Sequence, residues 1–204
     1  MAYSAKKSSG KISHYHRYFE GYSDIPRVTP NGATKIEKVY TAPYWVHDMT
    51  DEEWKRQKNR FGILTLAAVA LYILAAFMPL GHNHAVMVIV PGGLTLAEMI
   101  FFLISIGGYL TNPRNMTIYQ YKQGSGTLRR WSLILAVSMA VTALMTLIYP
   151  LINSDPQWLA IIGCAGCDLF AAAAVWKIYK TECTTAYCEE ENDSGYGVSP
   201  RPFF

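Results

Sequence analysis

Two acidic residues and one cysteine pair stand out because they lie inside long apolar stretches. Cys164, Cys167 and Asp168 occur near the middle of the run 158–176, WLAIIGCAGCDLFAAAAVW, and Glu98 occurs near the middle of a second run. A carboxylate in hydrocarbon is costly unless it is protonated, binds a cation or borders a watery cavity. Two such carboxyls would share a proton if they lay close together. The sequence therefore predicts an ion-, proton- or ligand-binding site at Glu98 and Asp168.

The same two carboxyls also have a purely structural interpretation. In the protonated form, each can bond to hydroxyls on neighbouring helices and so tie a bundle together. Five hydroxyl residues in the apolar stretches are candidates for this role: Thr65, Thr95, Ser138, Thr142 and Thr146. The amide substitutions Glu98→Gln and Asp168→Asn separate the two interpretations, because a loss of function in a folded variant would favour the binding site.

Three residues that disfavour a regular helix precede Glu98 by one to two turns. Pro91 removes a backbone hydrogen bond, and Gly92 and Gly93 add flexibility, so we expect a kink or a break here. Freed carbonyls beside a carboxyl would suit a cation, and these three residues therefore join the hypothetical ion-binding site. The alternative is a helix that simply bends around its neighbours.

Cys164 and Cys167 form a CxxC motif, and a dithiol at this depth could exchange electrons with a quinone. In outline, this arrangement resembles the vitamin K epoxide reductase family, four-span enzymes with a CxxC in the fourth span close to the outer face. The resemblance implies a thiol–quinone oxidoreductase that uses Cys164 and Cys167. That family holds a second cysteine pair between spans one and two, where residues 80–84 contain no cysteine.

A packing role is the alternative for these cysteines. Small residues recur at steps of three and four along the same stretch: Ala160, Gly163, Cys167, Ala171 and Ala174. Such spacing places them on one helix face, which lets another helix approach closely. Cysteine is then a small buried side chain.

Four apolar stretches must position all of these residues. They cover about 61–80, 85–110, 131–150 and 158–176, and each is long enough to cross about 30 Å of hydrocarbon. The chain has 204 residues, 51% of them apolar and 16% charged, so no large soluble domain fits outside the spans. The sequence predicts an all-α integral membrane protein, a four-span antiparallel helix bundle. It favours a role other than catalysis.

The basic residues predict the orientation. Residues 1–60 contain eleven Lys or Arg and residues 111–130 contain four, whereas the connections 81–84 and 151–157 contain none. By the positive-inside rule, both termini face the cytoplasm, and we expect a plasma-membrane location. The net charge of +3 is explained by this topology, so no nucleic-acid partner is expected.

The segments outside the spans predict a small cytoplasmic layer. We expect 1–50 to be mostly irregular, although 35–41 and 116–121 alternate polar and apolar residues and could pair as a short β-ribbon. Thr50 and Glu53 have the spacing of a capping box, which predicts a helix from Asp51. The four-helix domain then covers 51–180, and 181–204 is expected to be a disordered tail.

These features favour a component of a membrane complex that assembles with itself or with other membrane proteins through small-residue faces on spans two and four. The first alternative is a small transporter or channel subunit that handles protons or cations through Glu98 and Asp168. The second is the thiol–quinone oxidoreductase. No Walker loop, HExxH or GxSxG motif is present, so neither a cofactor nor a metal is predicted.

Overall fold

Four long helices dominate the computed structural model, which describes residues 18–28, 34–153 and 157–192. They are α1 (Asp51–Phe77), α2 (Val86–Thr111), α3 (Thr127–Asn153) and α4 (Trp158–Thr184). Each is long and apolar enough to cross a membrane, as the sequence predicts. The helices extend further than the expected spans, since α1 begins ten residues before residue 61 and α4 continues eight residues beyond 176.

The start of α1 follows the predicted capping box. The backbone N–H of Glu53 donates to Thr50 Oγ1 at 3.3 Å, and the backbone N–H of Thr50 donates to Glu53 Oε2 at 2.9 Å. The capping box thereby provides acceptors for two backbone N–H groups at the start of the helix. Asp51 and Glu52 add favourable negative charge to the first turn. This prediction is confirmed.

The helices follow the order α1, α4, α3, α2 around the bundle. α3 packs along both α2 and α4, and α4 packs along α1. α1 and α2 meet mainly through large side chains, at Tyr109 against Trp54 and Phe61 and at Tyr72 against Gly92. α3 therefore lies between α2, which carries Glu98, and α4, which carries Asp168.

The interior and the outer surface of the bundle are both apolar. The main core includes Phe61, Phe102 and Met139, all with 0% of their surface exposed. Outward-facing side chains such as Leu66 and Phe77 are largely exposed. Helices that are apolar on every face are typical of membrane spans.

The described residues form five short strands outside the helices. β1 (Tyr22–Val28) and β2 (Thr34–Tyr40) form an antiparallel hairpin, with Tyr22 opposite Tyr40. β3 (Tyr44–His47) is the central strand of a second sheet and is antiparallel to both β4 (Asn115–Met116) and β5 (Tyr187–Glu190).

The ribbon predicted between 35–41 and 116–121 is not formed. β2 pairs with β1 instead, and only Met116 of the second segment joins a strand. Thr117 and Gln120 form a second capping box, so Ile118–Tyr121 becomes a helical turn despite its alternating pattern. A π-helical segment, Lys122–Gly126, then leads into α3.

Within the described residues, both terminal segments contribute regular structure. The segment 1–50, predicted to be mostly irregular, contains β1, β2 and β3. The tail 181–204, predicted to be disordered, begins with the last turn of α4 and contributes β5 to the second sheet. The remainder of the predicted tail, 193–204, lies outside the described residues.

The second sheet marks one end of the bundle, because its strands precede α1, follow α2 and follow α4. We call this end the sheet end. The opposite end, where the 3-10 helix Gly81–His84 connects α1 to α2, is the turn end.

Candidate functional site

Asp168 is the more deeply buried of the two predicted carboxyl residues. Only 4% of its surface is exposed, and its Oδ1 atom is buried without a hydrogen-bond partner in the described part of the chain. Leaving a carboxyl oxygen buried and unsatisfied is costly. Asp168 therefore has spare capacity to bind a proton, a cation or a donor group.

Tyr72 connects the surroundings of Asp168 to the Pro91–Gly93 segment. The Tyr72 hydroxyl donates a 2.6 Å hydrogen bond to the carbonyl oxygen of Gly92, and Asp168 lies close enough to Tyr72 to interact with it electrostatically. α2 continues through Pro91 without a break. The Gly92 carbonyl oxygen therefore already accepts a hydrogen bond from Tyr72. It is not a free carbonyl of the kind that the predicted cation site requires.

Glu98 lies on α2, whereas Asp168 lies on α4. It is half-buried, and its Oε2 atom is buried without a hydrogen-bond partner in the ranges that the structure describes. Gly92 marks the level of Tyr72 on α2, and Glu98 lies six residues beyond it, which is about 9 Å along the helix axis. α3 packs along both α2 and α4, and no hydrogen bond in the described ranges joins the two carboxyls.

The candidate hydroxyls bond mainly to one another and to the backbone. Thr95 Oγ1 lies 3.0 Å from Ser138 Oγ and 3.1 Å from Thr142 Oγ1, which joins α2 to α3. Thr95 also donates to the Pro91 carbonyl at 2.9 Å. Thr65 Oγ1 is buried without a hydrogen-bond partner among the described residues. No hydrogen bond in this part of the chain joins any of them to Asp168 or Glu98, so the predicted polar ties are not formed.

The CxxC cysteines are free thiols in different surroundings. Cys164 is buried, and its Sγ donates to the carbonyl oxygen of Ala75 at 3.3 Å, whereas Cys167 is half-buried. Of the predicted small-residue face, only Ala171 is buried, and Ala160 and Gly163 are exposed. Cys164 thus acts as a packing residue between α1 and α4, and the small-residue face lies on the flank of α4.

A second buried polar cluster, at the sheet end, was not predicted from the sequence. Glu182 has 0% of its surface exposed, and its Oε1 accepts a 2.6 Å hydrogen bond from the Tyr187 hydroxyl. Ser125 Oγ lies 2.8 Å from the same hydroxyl, and Arg129 Nε lies 3.9 Å from Glu182 Oε1. Burial and the Glu182 carboxyl raise the pKa of Tyr187. Asp168, Val175 and Glu182 are seven residues apart, a spacing that indicates one helix face and could have revealed this cluster.

His47 is the buried residue of β3 that contacts α1. Its ring lies against Trp54, with 3.9 Å between the ring centroids, and 1% of the residue is exposed. Both ring nitrogens are buried, and neither has a side-chain partner among the described residues. Burial, followed by the Arg114 charge, lowers the pKa of His47 below its ordinary value of 6.5. The imidazole is therefore neutral at physiological pH.

A cavity of about 530 Å³ opens beside β3, next to His47. Arg114, Glu53 and Glu189 contribute to its wall. Arg114 is already paired with Asp51 at 2.8 Å, and Glu53 serves the helix cap. Nowhere in the described ranges do three or more His, Cys, Asp or Glu side chains converge as metal ligands would. Among the described residues, the cavity wall thus has no set of side chains that would hold a metal ion.

Comparisons with protein-family models, with curated proteins and with solved structures give no match to this chain.

Proposed function

We propose that this protein is a component of a membrane complex, and that it associates with a second copy of itself or with another membrane protein through the outer face of α2. Two aspects of α2 support this proposal. In its most apolar 18-residue window, 22% of the residues are buried, compared with 39% in the windows of α3 and α4. α2 also carries small residues where a second helix could approach.

Gly93 and Ala97 are the residues that carry the proposal. They lie four residues apart on the face opposite the buried side chains of α2, in one row with Ile100 and Ile104, and all four are exposed. A Cβ atom added at Gly93 would meet nothing within 4 Å. Small residues at this spacing favour close helix contact in membranes, and α2 does not use them inside the described fold.

Energy transfer between donor- and acceptor-labelled copies in lipid bilayers tests this proposal. We expect transfer at low lipid-to-protein ratio, reduced at least fivefold by Gly93→Leu and Ala97→Leu, because bulky side chains separate the helices. Gly62→Leu is the matched control, since Gly62 on α1 also has no neighbour within 4 Å of an added Cβ. Two results together would contradict the proposal: the protein is monomeric in the bilayer, and a photo-crosslinker at position 97 captures only lipid.

The proposal includes an orientation, with both termini in the cytoplasm and a plasma-membrane location, because the basic residues gather at the sheet end. The sequon Asn115-Met116-Thr117 provides the test. In a eukaryotic host, Asn115 should remain unglycosylated, whereas a mass shift removed by a glycosidase would indicate the opposite orientation.

Proton or cation handling is the second candidate function, and the buried unpartnered Oδ1 of Asp168 supports it. Ion flux into proteoliposomes made from the purified protein tests it. Asp168→Asn should abolish the flux with the protein still folded, and Glu98→Gln should reduce it separately if both carboxyls take part. Thr111→Val, which removes a hydroxyl bonded within its own helix, serves as the control. The absence of flux above that of empty vesicles would refute this candidate.

A further inference from the structure

We propose that protons reach Asp168 from the sheet end, along the interface between α1 and α4, by way of Glu182 and Thr65. This inference rests on the second candidate function, proton handling at Asp168. It adds the direction from which protons arrive and two further residues that carry them. It does not depend on association through α2, and it concerns the part of the route between Asp168 and the sheet end.

The three residues share a property that is uncommon in folded proteins. Asp168, Thr65 and Glu182 have 4%, 7% and 0% of their surfaces exposed. Each has a buried side-chain oxygen without a hydrogen-bond partner in the described part of the chain, namely Asp168 Oδ1, Thr65 Oγ1 and Glu182 Oε2. Buried unsatisfied oxygens are costly, so a row of them calls for an explanation.

The two carboxyls lie on the same face of α4. Asp168 and Glu182 are fourteen residues apart with the buried Val175 midway, and a spacing of seven residues keeps all three on one face. At 1.5 Å per residue, the carboxyls are about 21 Å apart along the helix axis. This distance is too long for a direct transfer, so an intermediate group is required.

Thr65 lies on the buried face of α1, midway between the levels of the two carboxyls. Gln57 Nε2 donates to Thr185 Oγ1 at 3.2 Å near the sheet end, and Cys164 Sγ donates to the Ala75 carbonyl oxygen at 3.3 Å near the turn end. Counting along the antiparallel helices from either contact brings Thr65 to within about 3 Å of the midpoint level. The unpartnered hydroxyl therefore divides the row into two halves of about 10 Å each.

Small side chains lie in the half of the row next to Asp168. Ala68 of α1 and Ala171 of α4 occupy this half, and both are buried. An alanine side chain is a single methyl group, so little side-chain volume separates Thr65 from Asp168.

Bulky side chains lie in the half of the row next to Glu182. Phe61 of α1 and Ile178 of α4 occupy this half, and both are fully buried. A proton does not cross apolar packing without water or polar groups to carry it. The row is therefore closed at this point, and movement of Phe61 or Ile178 is needed to admit the water that completes it.

The sheet end gives the row an entrance. Glu182 Oε1 accepts a 2.6 Å hydrogen bond from the Tyr187 hydroxyl, and the Tyr187 ring lies 6.5 Å from the ring of His47, measured between centroids. His47 belongs to the wall of the cavity of about 530 Å³ beside β3. One aromatic side chain thus separates Glu182 from a residue of the cavity wall.

The side chains along the row favour a proton over a metal cation. The positive charge of Arg129 lies 3.9 Å from Glu182, measured from Nε to Oε1, and would repel a metal ion there. No group of three or more His, Cys, Asp or Glu side chains converges anywhere in the described ranges. A proton needs only carboxyl and hydroxyl oxygens that water can link, and acidic side chains in membrane helices serve as such relays. Each step passes one proton to the next oxygen, from the cavity to Glu182 and then to Asp168.

Infrared spectroscopy of the protein in lipid bilayers tests this route. The carboxyl stretching band of protonated Asp168 is identified by its loss in Asp168→Asn, and its shift after transfer to heavy water gives the rate of proton exchange. Glu182→Gln should slow this exchange at least about tenfold, because an amide does not relay protons. Thr65→Val should slow it about three- to tenfold, the equivalent of one hydrogen bond. Ile178→Ala should speed it at least about threefold, because the smaller side chain loosens the closed half.

Two matched controls separate the row from general effects of substitution. Glu190→Gln removes an exposed carboxyl at the sheet end, and Thr111→Val removes a hydroxyl that is bonded within its own helix. Each should change the exchange rate by less than about twofold. Thermal unfolding of every variant identifies losses that come from destabilisation alone, and Thr65→Val decides the test if Glu182→Gln does not fold.

The possible outcomes distinguish the route from the function on which it rests. Exchange at the wild-type rate in both Glu182→Gln and Thr65→Val would overturn the route, and proton handling at Asp168 would stand. The absence of an Asp168 carboxyl band, together with the absence of proton flux that depends on Asp168, would overturn both.

Discussion

The Tyr187 hydroxyl donates a 2.6 Å hydrogen bond to the buried carboxyl of Glu182 and thereby joins β5 to the end of α4. The residues are five apart in sequence, and α4 ends between them at Thr184. Ser125 approaches the same pair from the π-helical segment, and Arg129 approaches it from the first turn of α3. This contact holds β5 against the bundle, and its removal should lower the stability of the protein measurably.

Tyr187→Phe should lower the free energy of unfolding by about 1–3 kcal/mol, because it removes a hydroxyl that donates to a buried carboxyl. Thermal or denaturant unfolding of the solubilised protein measures this effect. Tyr119→Phe is the matched control and should change stability by less than about 0.5 kcal/mol. A Tyr187→Phe protein as stable as the control would show that the hydrogen bond contributes nothing.

Acidification should destabilise the protein through His47. Burial lowers the pKa of His47 in the folded state, whereas the unfolded chain takes up the proton near 6.5. The neutral imidazole therefore contributes its full stability above pH 6.5, and that contribution is lost as the pH falls towards the folded pKa. Unfolding midpoints measured from pH 7.5 to 5 should fall less steeply in His47→Phe. Equal slopes in the two proteins would exclude His47 as the source.

Thr95→Val should weaken the contact between α2 and α3. The variant keeps the side-chain shape but removes the oxygen that Ser138 and Thr142 approach. Hydrogen bonds between helices in membranes contribute about 0.6 kcal/mol on average, so we expect a loss of about 0.5–1.5 kcal/mol. Thr111→Val, at a hydroxyl bonded only to its own helix, should cost less. The two variants can be compared by denaturation in mixed micelles, and equal losses would contradict the assignment.

The four thiols should differ in reactivity according to their burial. Cys183 and Cys188 are exposed, whereas Cys164 is buried. A maleimide reagent should therefore modify the first two in the folded protein and reach Cys164 only after denaturation. Mass spectrometry of labelled peptides gives the rates. A disulfide between Cys164 and Cys167, or rapid labelling of Cys164, would favour thiol redox chemistry over packing.

Local signals account for the parts of the fold that the sequence predicts. The capping box at Thr50 depends on two residues three apart, and each helix depends on about 20 consecutive apolar residues. The second sheet depends on distant contacts instead, since Val46 and Cys188 are separated by 142 residues. Alternation at 116–121 suggested a strand, but Thr117 and Gln120 form the cap of a helical turn. A periodic pattern alone does not reveal such a competing cap.

The candidate site could also be predicted only in part, because its surroundings depend on contacts between residues that are distant in sequence. The sequence identifies Asp168 and Glu98 as acids in apolar stretches, and in the structure each has a buried oxygen without a hydrogen-bond partner in the described ranges. Which helices are neighbours cannot be predicted, because all faces of these helices are apolar and any pair could pack. Glu182 was missed because it falls in the segment 181–204, which was expected to be a disordered tail, whereas α4 continues to Thr184.

The arrangement of β3 has a consequence for synthesis of the chain. β3 leaves the ribosome before any of the four helices, yet its partners β4 and β5 follow α2 and α4. The edge of β3 that pairs with β5 therefore stays open until the last helix has been made. Closure of this sheet is then a late event of folding, and a chain truncated before Tyr187 would keep an unpaired strand edge available to other proteins.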